Sequence, residues 1–252
     1  MTRPVSRRAA LGAFGGVGLG ALLTACSGSD SVTDSANVPT ATGTTATVSP
    51  QTTSSPELAA LFGEAGTCTL TKEETEGPYY FDVDSIRSDI REDREGTPLR
   101  LAVRVQNADV CTPIANAVVD IWHCDAGGLY SGFESASQGG PGGGKTDEET
   151  YLRGAQVTNK DGIVEFLTVY PGWYRGRTVH IHAKLHVDKE TVLTTQMFFD
   201  EDLTAKVYQA APYASHTGRE TFNDDDGIFD ASLILTMREQ EDGYLGLTTF
   251  AA

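Results

Sequence analysis

The sequence predicts an all-β protein, an antiparallel β-sandwich core with long loops and little helix. Several short segments alternate apolar and polar side chains or are rich in β-branched residues, which is typical of strands. The 252 residues include 27 Gly and 10 Pro, and these interrupt the chain too often for a helical bundle. Many short strands separated by turns favour two packed sheets.

The strand with the clearest pattern covers residues 99–106, where apolar side chains occupy every second position. A turn at 107–109 ends it. The remaining strands are predicted at 117–123, 163–170, 178–187, 191–199 and 232–237. Helix is predicted only at 56–62 and 203–209, and the Gly-rich stretch 131–150 is predicted to be loop.

Residues 1–25 have the features of a signal peptide. Arg3, Arg7 and Arg8 precede an uncharged apolar run, SRRAAL at 6–11 resembles a twin-arginine signal, and LTAC at 23–26 resembles a bacterial lipobox. We therefore expect export of the folded protein and a lipid on Cys26 that anchors it to the bacterial cell membrane, on the extracytoplasmic side. An ordinary secretory peptide with a chance cysteine is the alternative.

A flexible tether is expected over residues 26–57. Half of the residues from 27 to 56 are Ser or Thr, and none is aromatic, Lys or Arg. Such a segment buries too little apolar area to offset the entropy lost on ordering. The globular domain is then expected to cover residues 58–252.

The charge excludes one class of partner. The chain has 19 Lys and Arg against 35 Asp and Glu, a net charge of -16. A surface of this sign repels phosphate backbones, so we expect no binding to nucleic acid.

The motif best suited to bind a metal ion is His180-Ile181-His182 in the predicted strand 178–187. A period of two places both imidazoles on one face, while Ile181 points into the sandwich. Two such histidines can hold one metal ion from a rigid base. The pair alone is weak evidence for a metal site, because surface strands also contain two such histidines by chance. The glutamate that a cupin would add four or five positions later is replaced by His186 and Val187.

Three more motifs precede this pair in the sequence. YPGWYRGR at 170–177 is a tight turn that brings Tyr174 and Arg177 close to His180, although it could equally be an aromatic cap on the sandwich. WHCDAGGLYSG at 122–132 leaves a strand and enters a Gly-rich loop, a common place for functional groups. EGPYY at 76–80 precedes the first clear strand and is expected to lie across the domain.

Together with LRGAQVTNKDG at 152–162 and TTQMFFD at 194–200, these motifs resemble the intradiol ring-cleavage dioxygenases. This family comprises the catechol and protocatechuate dioxygenases, which are non-haem iron(III) enzymes with a β-sandwich core. The resemblance covers roughly residues 68–230 and is closest to the shorter, protocatechuate-dioxygenase-like members.

The resemblance implies roles for six residues. Its iron ligands match Tyr130, Tyr174, His180 and His182. Its arginine that lines the substrate site matches Arg177, and its glutamine that lies next to the iron ligands without binding the iron matches Gln196. Tyr174 matches the tyrosine that substrate displaces. Only five residues separate Tyr174 from His180, fewer than in the larger protocatechuate enzymes, so the identity of the catechol stays open.

The residue types agree with this chemistry. Two phenolates are hard anionic donors that favour Fe(III) over zinc or Fe(II). The implied activity is O2-dependent cleavage of a catechol ring between its two hydroxyl-bearing carbons, giving a cis,cis-muconate-type dicarboxylate. Arg177 would stabilise the developing negative charge. The alternatives are a non-catalytic surface module that binds a ligand or partner, and a zinc or copper β-sandwich protein.

Three cysteines remain besides Cys26, so one free thiol is expected. Cys111 and Cys124 lie at opposite ends of a predicted hairpin, which disfavours their pairing. Cys68 and Cys124 flank the two segments expected to approach the metal, and we predict that these two form the disulfide.

Overall fold

The computed structural model describes residues 36–39, 45–48, 50, 55–64, 68–83, 85–137, 144–188 and 190–252. The predicted signal peptide and Cys26 lie outside the described residues. No helix in the described part of the chain is long and apolar enough to span a membrane.

Two four-stranded sheets form the domain, and the predicted all-β sandwich is confirmed. The elements in chain order are β1 (Ala36–Pro39), β2 (Thr45–Val48), α1 (Pro56–Glu64), β3 (Pro98–Gln106), β4 (Val118–Trp122), α2 (Glu134–Ser137), β5 (Arg153–Val157), β6 (Ile163–Val169), β7 (His180–Val187), β8 (Glu190–Phe198), α3 (Glu201–Val207), β9 (Thr236–Gln240) and β10 (Gly243–Ala251). The first sheet has the order β6-β3-β10-β9 and the second has the order β5-β4-β7-β8.

Side chains from both sheets meet in one core between them. On β3, Leu101, Val103 and Val105 are fully buried, as their alternation predicts. On β7, Ile181 and Ala183 belong to the same core. The strand period therefore places the two histidines of β7 on the opposite, outer face of the second sheet.

The outer face of the first sheet is covered by α1. Leu58 and Phe62 of this helix pack against Ala102 of β3 and against Leu245 and Leu247 of β10. Both faces of this part of the sheet are therefore buried, which leaves the outer face of the second sheet for polar side chains.

β5 and β10 were not predicted, because neither alternates in the expected way. Each is buried on both faces, so the period-two signal is weak. β10 runs parallel to β3, the one parallel strand pair in the two four-stranded sheets as described. The strand predicted at 232–237 is displaced: Ala231–Leu233 is a 3-10 turn, and β9 begins at Thr236.

The prediction of disorder over residues 26–57 is wrong for two short segments. β1 and β2 pair in an antiparallel hairpin with Ala36 opposite Val48. Val48 packs against Val118 and Val157, at the edge of the second sheet. The prediction rested on composition and overlooked that Thr and Val favour strands. Most of the other residues between 26 and 54 lie outside the described part of the chain.

The predicted Cys68–Cys124 disulfide is wrong, because Cys68 bonds to Cys111 with a Cα–Cα distance of 5.3 Å. Thr71 donates its N–H to the Ala251 carbonyl at 2.9 Å, which ties the segment after Cys68 to the end of β10. β10 lies beside β3, and β3 leads to the turn that carries Cys111. Cys124 keeps a buried free thiol, as expected for one of the three.

Candidate active site

Four side-chain positions lie in one row across the second sheet. Arg153 of β5 is opposite Trp122 of β4, Trp122 is opposite His182 of β7, and His182 is opposite Gln196 of β8. All four residues are nearly inaccessible to solvent. The register therefore brings together residues from four motifs that are far apart in the sequence.

The two histidines of β7 direct their Nε2 atoms toward each other, at 3.0 Å. His180 Nδ1 lies 2.7 Å from the Thr178 carbonyl oxygen. Because a carbonyl only accepts, Nδ1 carries the hydrogen and Nε2 of His180 presents a lone pair. This is the tautomer that a metal ligand needs.

His182 is held by stacking. Its ring lies on Trp122 with a centroid distance of 4.9 Å and an interplanar angle of 5°. His182 Nδ1 has no hydrogen-bond partner among the described residues. Burial lowers the pKa of His180 to about 3 and that of His182 well below its ordinary value, so both imidazoles are neutral at pH 7.

Two tyrosine hydroxyls converge on the same point. Tyr130, from the loop after β4, places its hydroxyl 3.5 Å from His180 Nε2, and Tyr174, from the turn after β6, places its own at 3.1 Å. Burial raises the pKa of both phenols above their ordinary value. Both therefore stay protonated at neutral pH unless a strongly Lewis-acidic cation replaces the proton.

The turn that carries Tyr174 is anchored at Trp173. The Trp173 indole N–H donates to the His216 carbonyl at 2.9 Å, and His216 Nε2 donates to the Trp173 carbonyl at 3.0 Å. The two rings also stack, at 4.3 Å. Gly128 has a φ of +84° and lies directly against the same carbonyl, where an added Cβ would be 2.2 Å from the oxygen.

Arg177 lies at the edge of this group of donors. Its Nη1 is 3.4 Å from His180 Nε2, and its Nη2 donates to Gln196 Oε1 at 2.5 Å. Gln196 in turn donates from Nε2 to the Thr75 carbonyl at 2.9 Å. The glutamine thus links the arginine to the segment that covers the site.

Residues 72–81 form that segment, which crosses the outer face of the second sheet as expected. Gly77 lies over His182, and a Cβ at position 77 would be 3.2 Å from His182 Cε1. Tyr79 packs against Tyr130 with a centroid distance of 4.8 Å. Lys184, which shares the histidine face of β7, forms an ion pair with Glu76. These contacts make one wall of the site.

The four donor atoms fit a single metal ion. Donors about 2.0–2.1 Å from a common ion lie roughly 3 Å apart when their bonds to it make right-angled to tetrahedral angles. The other three donor atoms lie 3.0–3.5 Å from His180 Nε2. The described residues contain no group of three or more His, Cys, Asp or Glu placed to hold a metal ion, so tyrosine oxygens distinguish this donor set. Two phenolates and two neutral imidazoles suit a hard trivalent ion.

Known proteins that are similar to this chain include enzymes of the class that the donor set indicates. A family model described as "Dioxygenase" matches residues 75–243. The structure of an intradiol ring-cleavage dioxygenase from Tetranychus urticae is 35% identical, with a TM-score of 0.69 over 73% of this chain and 94% of that chain. The chain belongs to the intradiol ring-cleavage dioxygenase family.

Two further proteins are similar to this chain at lower sequence identity. The dioxygenase domain of a carbohydrate-binding fusion protein from Streptomyces sp. SirexAA-E is 28% identical, with a TM-score of 0.55 over 73% of this chain and 97% of that one. Catechol 1,2-dioxygenase 1 of Acinetobacter lwoffii is 31% identical over 150 residues, which cover 50% of this chain and 45% of that protein. The chain spans about half the length of the curated relatives it matches.

All six site residues that the resemblance implied lie together in the structure. Sequence reasoning assigned no role to Trp122, which stacks on His182, to Thr178, whose carbonyl orients His180, or to Asp226, which binds Arg177. The strand period could have revealed Trp122, because it places this side chain on the outer face of β4, away from the core residues Val119 and Ile121. The other two act through a backbone carbonyl and a distant loop, and neither leaves a local pattern.

Proposed function

We propose that this protein is a non-haem iron(III) dioxygenase that uses O2 to cleave a catechol ring between its two hydroxyl-bearing carbons, giving a cis,cis-muconate-type dicarboxylate. The observation that carries the proposal is the convergence of two phenols, one buried and one partly exposed, and two neutral imidazoles on one point. Membership of the intradiol family supports the same chemistry.

Tyr130, Tyr174, His180 and His182 would hold the iron. When bound, Fe(III) would act as a Lewis acid that withdraws electron density from a chelated catecholate. The protein supplies a rigid strand for both imidazoles and fixes the tautomer of His180 through Thr178. It also keeps the donors out of bulk water, since Tyr130, His180 and His182 are at most 2% exposed.

The two tyrosines are suited to different tasks. Tyr130 is fully buried and packs against Tyr79 and Phe133, so it is confined. Tyr174 is partly exposed and lies beside Arg175 and Gly176, which are both exposed. Tyr174 therefore has room to leave the donor cluster and accept a catechol proton, while Tyr130 stays in place.

Arg177 is placed to stabilise negative charge on the substrate. Its Nη1 lies beside His180 Nε2 and thus beside the point where the donors meet. A guanidinium cannot ligate a metal ion, so this positive charge is available to the oxyanion or carbanion that develops on the ring.

The test combines metal content, colour and turnover in the purified protein. We expect one iron per chain, a tyrosinate-to-iron(III) absorption band in the visible range, and O2 uptake with at least one of catechol, protocatechuate, hydroxyquinol and chlorinated catechols. His182→Ala should lose the iron and the band. Stoichiometric zinc without a visible band would identify a zinc protein, and iron without O2 uptake on any catechol would remove the ring-cleavage assignment.

We further propose that the protein is exported and lipid-anchored at Cys26. The twin-arginine and lipobox motifs support this location, and the Cys68–Cys111 disulfide is typical of an oxidising, extracytoplasmic compartment. Cys26→Ser should move the protein from the membrane fraction to the soluble fraction with its activity intact. Membrane retention of that variant would contradict lipidation as the anchor.

A further inference from the structure

The loop that contains Asp226 lies against Arg177, although no sequence motif assigned to the site includes it. Asp226 is 8% exposed, and its Oδ2 accepts from Arg177 Nε and from the Thr178 backbone N–H, both at 2.9 Å. Its Oδ1 accepts from the Ile228 N–H at 2.9 Å. Three donors therefore surround one buried carboxylate.

The protonation state of this carboxylate is clear. Burial alone would raise the pKa of Asp226, but the N–H groups of Ile228 and Thr178 and the charge of Arg177 outweigh it and hold the pKa below its ordinary value. Asp226 is therefore an anion at neutral pH, and its bond to Arg177 is a charge-assisted hydrogen bond.

The loop itself is rigidly attached. Asn223 accepts from the Thr178 hydroxyl at 2.6 Å and donates to the Phe199 carbonyl at 2.9 Å. Asn223 also donates its backbone N–H to Glu201 at 2.8 Å. These bonds connect the loop to β8, to α3 and to the start of β7, so the position of Asp226 is defined by the sheet that carries the histidines.

Two of the three guanidinium nitrogens of Arg177 are consequently held. Nε binds Asp226, and Nη2 binds Gln196, whose amide orientation is fixed because its Nε2 donates to the Thr75 carbonyl. A planar guanidinium held at two nitrogens has no freedom left for the third. Nη1 is therefore directed at the point where the four donors meet.

We propose that Asp226 is a positioning residue that holds Arg177 with one guanidinium nitrogen directed at the substrate. The proposal deepens the proposed function and rests on it. The hydrogen bonds of Asp226 go to the Arg177 side chain and to the backbone N–H groups of Thr178 and Ile228, and none goes to a donor atom. Its side-chain route to the substrate is therefore Arg177. Its carboxylate also compensates the buried positive charge, which keeps Arg177 in place when no substrate is bound.

The test compares Asp226→Asn and Asp226→Ala with the wild type and with Asp224→Asn, an exposed neighbour, as the matched control. Without its anchor the guanidinium can turn away from the substrate, and a displacement of about 1 Å in such a group costs roughly 10²-fold in rate. We expect kcat to fall by about that factor in Asp226→Ala and by less in Asp226→Asn, which keeps one acceptor oxygen. Asp224→Asn should match the wild type.

A metal readout and a double-mutant cycle separate positioning from general damage. Iron content and the visible band of the resting protein should stay at the wild-type values in all Asp226 variants. In an Arg177→Gln background, Asp226→Ala should change kcat by less than about threefold, because the residue through which it acts is already gone. If Asp226→Ala does not fold, the cycle is carried out with Asp226→Asn.

Three results would overturn the proposal: kcat within threefold of the wild type in both variants, loss of iron or colour together with kcat, or additive effects of the Asp226 and Arg177 substitutions. Each of these presupposes a wild-type protein that binds iron and cleaves a catechol. A colourless, inactive wild type would instead contradict the proposed function itself.

Discussion

Replacing Gly128 by Ala should displace the turn that carries Tyr174. Gly128 has a φ of +84°, and an added Cβ would lie 2.2 Å from the Trp173 carbonyl oxygen, whereas real Cβ contacts essentially never fall below 3.0 Å. The carbonyl must therefore retreat by at least about 0.8 Å, the difference between those two distances. The same oxygen accepts from His216 Nε2, so the retreat also strains that hydrogen bond.

The backbone and contact effects can be separated with a second glycine. An L-residue in the left-handed region costs about 1–2 kcal/mol, and overpacking typically adds about 1–3 kcal/mol. Gly218 has a φ of +94° but nothing within 4 Å of its added Cβ, so Gly218→Ala has the backbone cost alone. We expect Gly128→Ala to lower the free energy of unfolding by about 2–5 kcal/mol, and Gly218→Ala by about 1–2 kcal/mol.

Activity should show the same contrast. Trp173 precedes Tyr174 directly, and a shift approaching 1 Å at a reacting group costs roughly 10²-fold in rate. The two variants are compared by thermal unfolding, by the intensity of the visible band and by steady-state O2 uptake. The reasoning is refuted if Gly128→Ala loses no more stability than Gly218→Ala and keeps kcat within threefold of the wild type.

Three further predictions follow from the site and the core. Tyr174→Phe should slow catechol binding in stopped-flow experiments because it removes the proton acceptor, whereas Tyr130→Phe should mainly change the visible band; unchanged binding in Tyr174→Phe would contradict its role. Replacing Cys68 and Cys111 by Ala should lower the free energy of unfolding by about 4 kcal/mol, estimated for their sequence separation of 43 residues, and a loss below 1 kcal/mol in denaturant titrations would count against that estimate. Burial raises the pKa of Asp120 to about 7, so the folded protein holds this proton more tightly than the unfolded chain does. The resulting stabilisation is fully present below the ordinary aspartate pKa of about 4 and is lost as the pH rises through 7. Asp120→Asn should therefore stabilise the protein more at pH 8 than at pH 5, and equal shifts of Tm at both pH values would contradict the raised pKa.

The sequence by itself determined the fold class and the strand that carries the site. Period-two alternation on β3 and β7 reports which face of each strand is buried, because neighbouring side chains of a strand point in opposite directions. That rule alone placed His180 and His182 on one outer face. The resemblance to the intradiol family added Tyr130 and Tyr174, whose side chains the structure brings within 3.5 Å of His180.

Only the tertiary structure decided the contacts between distant segments. The Cys68–Cys111 bond depends on β10 lying parallel to β3, and β10 is buried on both faces, so no alternation marks it. The hydrogen bond between Asp226 and Arg177 depends on the position of a loop that Asn223 ties by hydrogen bonds to three other segments of the chain. Local patterns report the burial of a single strand, whereas these contacts depend on which strands become neighbours, and packing of the whole core selects that arrangement.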